Sequence, residues 1–245
     1  EPYGAKTTDS SAETMENPLI EHKTEVCFNC TCLGIEFNNI SIRTAHNGFK
    51  FTGGSLTSGS FGRYIHLSNC TVYCTSDNGT GFNFENCFRV LAENCNAFGG
   101  HRPFVLSSLT SSSFVSCWAR NFSNTGWTIL NSVYTSLVSC ACDALENSSG
   151  KHGYYISGCG TINLVACGVE NTDDAMIIET TKGVSASVYC VAVGADTNSA
   201  IIQLGNNSTV GLAGCVSSVN RKIAITGTGS LVNISTCDRF THVIM

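Results

Sequence analysis

The chain is poor in proline and in charge: three prolines occur in 245 residues, and Asp, Glu, Lys and Arg together make up 13%. The polar remainder is dominated by Ser, Thr and Asn, and with 24 glycines this is a turn-rich β composition that argues against a helical bundle. The 13 basic residues are scattered under a net charge of -5, so there is no basic stripe to release counterions from a nucleic acid, and none is expected as a partner. No run of about 18 apolar residues exists, so no membrane insertion by a helix is expected. No charged-then-apolar segment opens the chain, which starts at Glu1 rather than Met and so reads as a processed product or a fragment.

Cysteine, by contrast, is abundant. Fifteen are present, but disulfide frameworks serve small domains without a core, and an odd number cannot pair completely. Cys27, Cys30 and Cys32 cluster without a neighbouring His pair, so the residues imply no metal there, and nothing in the chain implies a cofactor.

The spacing of the cysteines carries more than their number. Cys70, Cys95, Cys117, Cys140, Cys167, Cys190, Cys215 and Cys237 follow at steps of 25, 22, 23, 27, 23, 25 and 22 residues, which is the signature of a solenoid repeat. An apolar residue stands three positions earlier in most repeats (Leu67, Phe114, Leu137, Leu164, Leu212, Ile234). A second column precedes the first: Phe82, Phe104, Trp127, Tyr154, Met176, Ile201 and Ile223, most followed two residues on by another apolar side chain. A period of two is a strand with one face buried. The distance from this column to its cysteine is 13 residues in four coils and 14 in the last three, so two strands are rigidly related in each coil. Repeats this short leave no room for a βαβ crossover.

The expected fold is therefore an all-β, right-handed parallel β-helix of about seven to nine coils over residues 46–245. Seven steps of strand spacing make a rod of roughly 34 Å. The cysteines read as small hydrophobes in a narrow interior, and unpaired thiols suit folding in a reducing compartment. Residues 1–45 break the repeat and read as an N-terminal capping segment. Ser10 to Glu25 carries a short amphipathic helix pattern through Met15, Leu19 and Ile20, interrupted by Pro18. After Cys237 the eight remaining residues end in Val243-Ile244-Met245, and an open strand edge there calls for more chain or a second subunit.

The repeat resembles the pectate-lyase-like superfamily of single-stranded right-handed β-helices, and its Ser/Thr/Asn texture is similar to the shafts of bacteriophage tailspikes. Tyr3-Gly4-Ala5-Lys6 before Thr7, Thr8 and Asp9 looks like the opening motif of many such chains, without the Gly-Asp-Gly that usually follows. Asn171-Thr172-Asp173-Asp174 looks like the acidic motif of the polygalacturonase branch. However, no Gly-His-Gly or Arg-Ile-Lys accompanies it, and Lys151-His152-Gly153 lies upstream. The resemblance implies the fold and a polysaccharide partner, here a bacterial surface glycan. It also implies a virion tail protein, homotrimeric, joined to other tail proteins and folded in the bacterial cytoplasm; secretion is the alternative.

Sites on such a scaffold belong to the variable loops between each cysteine and the next aromatic. Three residues after the cysteine come Tyr73, Phe98, Arg120, Asp143, Glu170, Val193 and Ser218; six after come Ser76, His101, Ser123, Glu146, Asp173, Asp196 and Arg221. The middle coils are acidic, with Lys151 and His152 in the longest loop beside them. Glycoside hydrolysis needs two carboxyls about 5 Å apart for retention or about 6.5–9.5 Å for inversion, and adjacent or next-but-one coils supply such separations. The catalytic candidates are Glu146, Asp173, Asp174 and Asp196. The substrate-binding candidates are Tyr73, Phe98, Arg120, Asp143, Lys151, His152 and Glu170, with the aromatics as sugar-stacking surfaces. Turn chemistry alone also places Asp and Asn in tight loops. His66 and His101 read as solvated.

Three functions follow: a depolymerase of glycosidase type, a receptor-binding module without chemistry, and a cellular pectate-lyase-like enzyme. The last needs a basic residue beside the acidic group, and Lys151 is the one close in sequence.

Overall fold

The structure, a computed structural model, describes residues 19–22, 26–31, 33–54, 62–144, 151–191, 200–225 and 228–244. It is a parallel β-helix in which the 25 strands among the described residues form one continuous sheet, wound in the right-handed sense that strand twist imposes on parallel crossovers. Three ladders run its length. Ladder A joins Leu19–His22, Ser41–Thr44, Thr71–Cys74, Asn96–Phe98, Trp118–Phe122 and Ala141–Ala144, then the later part of Ile162–Glu170. Ladder B joins Val26–Cys30, Asn47–Thr52, Thr80–Glu85, Phe104–Ser107, Thr125–Leu130, His152–Ser157, Asp174–Glu179 and Ala200–Leu204. Ladder C joins Leu33–Asn38, Gly62–Ser68, Cys87–Glu93, Thr110–Val115 and Val133–Val138, then the first part of Ile162–Glu170.

Strand pairing begins ahead of the expected boundary at residue 46. Leu19 pairs with Ser41 and Phe28 with Phe49, so coils already run through the segment read as a cap. Leu19 and Ile20 are strand and not helix; residues 1–18 and 23–25 lie outside the described residues. Pairing with Ser41–Thr44 satisfies the backbone of this segment between strands.

The aromatic column is the spine of the interior. Phe28, Phe49, Phe82, Phe104, Trp127 and Tyr154 occupy one register position in successive coils. Their rings stack face to face: Phe49–Phe82 centroids are 5.4 Å apart, Phe82–Phe104 4.9 Å and Phe104–Trp127 4.0 Å. Each side chain of this size removed from water contributes about 2–3 kcal/mol, and parallel in-register pairing makes the stack unavoidable once one ring faces inward. In the coil of Ile201 the column shifts by one position. Met176 pairs with Ile202, and Ile202 with Ile223, so Ile202 and not Ile201 continues the column.

The cysteine column is buried as expected, with Cys70, Cys95, Cys117, Cys140, Cys167 and Cys215 at 0–1% exposure. Cys190 departs from it. Cys167 pairs with Val188 while Cys190 pairs with Val169, which places Cys190 two register positions further along the strand. The thiols fit for a second reason besides size. Several donate their S–H to a carbonyl of the preceding coil, Cys117 to Ala92 O at 3.4 Å, Cys140 to Phe114 O at 3.3 Å and Cys167 to Leu137 O at 3.4 Å, while Cys95 donates to Glu93 O of its own coil at 3.4 Å. A methyl group could not donate there.

Two corners give the coil its cross-section, and both use a residue in the left-handed region. Asn39, Asn69, Asn94, Ser116, Ser139, Ala166 and Gly214 precede the cysteine position with φ from 51° to 67°. Asn86, Ser108, Asn131, Gly158, Thr180, Asn207 and Gly229 mark the other corner; Asn and Gly tolerate this conformation best. After this second corner comes a buried polar column unanticipated from sequence. The N–H of Leu109 donates to Ser132 Oγ (3.0 Å), that of Ser132 to Cys159 Sγ (3.4 Å), that of Cys159 to Thr181 Oγ1 (3.2 Å) and that of Thr181 to Ser208 Oγ (3.4 Å). Corner N–H groups that bend away from their ladder are thereby satisfied inside the core.

Candidate functional site

The loops between ladders A and B stack on one another through their own backbone. His101 N–H donates to Gly79 O (2.7 Å), Ser123 N–H to Gly100 O (2.9 Å), His152 N–H to Asn124 O (2.9 Å) and Asp173 N–H to Lys151 O (3.0 Å). Glycine makes the edge narrow. A Cβ on Gly126 would lie 2.7 Å from Cys142 Cβ, and one on Gly153 2.8 Å from Val169 Cγ1, so ladder B starts in direct contact with the interior of ladder A. His152, beside Gly153, is thus held at the edge by packing on both sides.

On the ladder A side, the column three residues past the cysteine forms as read from sequence as far as Glu170. Tyr73 pairs with Phe98, Phe98 with Arg120, Arg120 with Asp143 and Asp143 with Glu170. Val191 then takes the next position, where Val193 was expected, because Cys190 has already left the cysteine column. The Tyr73 and Phe98 rings stack at 4.9 Å and 8°. The Arg120 guanidinium lies 5.5 Å from the Phe98 centroid and 4.2 Å from that of Trp118, an attraction between cation and ring quadrupole. These rings are half-buried rather than fully exposed, because each covers part of the next. Asp143 accepts a hydrogen bond from Asn171 Nδ2 at 2.9 Å, and Glu170 is exposed.

The acidic candidates separate. Glu146 and Asp196 lie outside the described residues. Asp174 is buried at 5% exposure, and its Oδ2 is 3.1 Å from His152 Nδ1, within ion-pair reach but off the line of a hydrogen bond. Asp173 is half-buried, and Lys151 is buried at 2% exposure. Burial lowers the Lys151 pKa, and the carboxylates of Asp173 and Asp77 oppose that shift by favouring the ammonium. Asp143, Asp173 and Asp174 therefore stand beside basic or amide partners, while Glu170 is exposed. His66 is not simply solvated: Nε2 is 3.2 Å from Glu93 and Nδ1 3.5 Å from Glu36, stacked coil on coil along ladder C.

On the ladder B side the edge opens into a cavity of about 200 Å³ lined by Arg102, Asn124, Thr125, Thr128, Leu130, His152, Tyr155 and Ile177. Tyr155 donates its hydroxyl to Glu179 Oε2 at 2.6 Å. That hydrogen bond, helped by burial, raises the phenol pKa above its ordinary value. Arg102, Thr128, Tyr155 and Glu179 escaped the sequence reading, which looked for function in loops after the cysteine. The legible signal was the outward positions of ladder B between inward aromatics, where Tyr155 follows the buried Tyr154 directly.

No family model matches the chain, and no curated protein is similar to it in sequence. Among solved structures, the A-module of mannuronan C-5 epimerase AlgE6 from Azotobacter vinelandii is 12% identical, with 91% of this chain and 78% of that one covered at a TM-score of 0.49. The gp42 tailspike of Acinetobacter phage vb_AbaP_AS12 is 13% identical over 93% of this chain, which spans 58% of the tailspike, at a TM-score of 0.45. DFA-IIIase from Arthrobacter chlorophenolicus A6 is 11% identical, with 93% and 76% covered and a TM-score of 0.42. At these values the similarity is one of outline, and the activities in those names belong to those proteins.

Proposed function

We propose that this chain is a tailspike-like β-helix that binds a bacterial surface polysaccharide and cleaves it as a glycoside hydrolase. The observation that carries the reading is the strip along ladder A: stacked Tyr73 and Phe98, the Arg120 guanidinium laid over Phe98, then Asp143 and Glu170 in the next two coils. Flat rings offer the apolar faces of sugar rings a platform, while a guanidinium and carboxylates beside them address hydroxyls. A strip advancing one strand spacing per coil suits an extended chain. Across the loop edge His152 contacts the glycan, Lys151, buried at 2% exposure, acts on it through its charge, and the carboxyl pair is drawn from Glu146, Asp173, Asp174 and Asp196. In this reading the protein is a homotrimeric component of a virion tail, attached to other tail proteins and folded with its thiols reduced.

A second reading, a receptor-binding module without chemistry, is favoured by the engagement of Asp174 with His152 and of Asp143 with Asn171. Incubation with capsular and cell-wall polysaccharides separates the two, with reducing ends and the absorbance of unsaturated sugars measured together. A hydrolase releases reducing ends without unsaturation and loses this in Asp173→Asn/Asp174→Asn while still binding glycan. Unsaturated products make it a lyase, and no products from any glycan it binds leave the binding module. Tyr73→Ala/Phe98→Ala is expected to weaken glycan binding about tenfold, and unchanged affinity would remove the strip from the site.

A further inference from the structure

The cavity on ladder B has a composition that the cleavage reading does not use. Its floor is apolar, from Leu130 and Ile177. Two of its polar walls are already committed, His152 to Asp174 and Tyr155 to Glu179. Arg102 is exposed at the rim, and among the described residues no carboxylate lies within ion-pair distance of it. Thr128, at 2% exposure, has a buried hydroxyl without a hydrogen-bond partner, an arrangement that is costly unless a ligand oxygen completes it. At about 200 Å³ the cavity is below the ~300 Å³ at which drug-sized pockets begin, and its size suits one sugar ring.

We propose that this cavity is a subsite for a single anionic sugar residue, with Arg102 taking the acid group and the Thr128 hydroxyl a second oxygen. Arg supplies the planar, always-charged fork that carboxylate and phosphate geometry matches. The carboxylates of Asp174 and Glu179 are engaged by His152 and Tyr155, so Arg102 is the charged group left to meet the ligand. Leu130 and Ile177 receive the apolar face of the ring. The polysaccharide is on this account acidic, a specificity that rests on the glycan-binding reading for the sugar and on Arg102 and Thr128 for the acid.

The test is calorimetric titration of the full chain with three probes: a glucuronic acid trisaccharide, the neutral trisaccharide made by reducing its carboxyls, and inorganic phosphate. The acidic trisaccharide is expected to bind at least tenfold more tightly than the neutral one at low salt, with the ratio shrinking as salt rises. Arg102→Gln, at an exposed position, should bring that ratio near one with neutral binding unchanged. Thr128→Val, of matched shape, should weaken acidic binding severalfold with the melting temperature retained. Equal affinity for both trisaccharides, or a ratio that survives Arg102→Gln, overturns the subsite while leaving glycan binding intact. Phosphate that displaces the acidic trisaccharide in an Arg102-dependent way supports a site for phosphorylated sugars as well. Phosphate binding without trisaccharide binding overturns the sugar. Arg102-dependent binding of the acidic trisaccharide by a chain that binds no long polysaccharide upholds the subsite and removes the function proposed above.

Discussion

Trp127→Ala would remove the middle of the aromatic spine. Trp127 is fully buried and stacks on Phe104 at 4.0 Å. It also meets Phe114 edge-on at 5.8 Å and Tyr154 at 6.4 Å, and its indole N–H donates to Ala141 O at 3.2 Å. Truncating a buried aromatic to alanine costs about 3–5 kcal/mol, and the abandoned Ala141 carbonyl adds about 1 kcal/mol. The neighbours cannot collapse into the void, because each ring is tied by strand register to its own coil. A loss of about 4–6 kcal/mol is therefore expected. Trp127→Phe keeps the stack with Phe104 and Tyr154 and gives up only the N–H bond and some volume, about 1–2 kcal/mol. Urea unfolding followed by circular dichroism measures both, and in each variant Trp118, the other tryptophan of the chain, reports the same transition by fluorescence. A loss under about 2 kcal/mol for Trp127→Ala, or equal losses for Ala and Phe, would show that the ring stack is not what holds the coils together.

Three other outcomes follow from the geometry. Ser132 is fully buried, accepting from Leu109 N–H at 3.0 Å and donating to Leu130 O at 2.9 Å. Ser132→Ala should therefore cost about 1–3 kcal/mol, whereas Ser132→Cys, copying the neighbouring Cys159, should cost clearly less by the same denaturation. Burial pushes the Cys74 and Cys167 thiols up to about 12 and that of Cys215 up to about 11; a thiol reagent at neutral pH should leave these three unlabelled in the folded chain and label all three in denaturant. Fast labelling of the folded chain at Cys167 or Cys215 would refute the interior column. Tyr154, through burial, and Tyr155, through its bond to Glu179, titrate above the ordinary tyrosine range. A raised phenol pKa means the protonated form is favoured by folding, so this stabilisation is complete below the ordinary value and lost as pH rises through the folded one. Alkaline difference spectroscopy should show one fewer late-titrating tyrosine in Tyr155→Phe than in the unaltered chain, and Glu179→Leu should lower the Tyr155 pKa.

The repeat was legible in sequence because parallel in-register stacking sends the same position of every coil to the same place. Phe82, Phe104 and Trp127 had to be alike, and so did Cys95, Cys117 and Cys140, since each pair shares one interior slot. The same rule ordered Tyr73, Phe98, Arg120, Asp143 and Glu170 on the outside before any coordinate was known. It failed where a coil changes length, at Cys190 and Ile201, because a fixed ruler cannot show which side of a loop absorbs an extra residue.

Other features had no constant residue to announce them. The corner column accepts Leu109, Ser132, Cys159, Thr181 and Ser208 alike, since its requirement is a small volume with, in most coils, an acceptor for one N–H. The pairing of Asp174 with His152, the turn of Tyr155 toward Glu179 and the cavity that Arg102 overhangs depend on diagonal contacts between coils of unequal loop length. Sequence alone determined the coil and its periodic faces, through the strict period of stacked strands. Tertiary structure alone decided which charges meet, because that depends on how loops of different length close over the same edge.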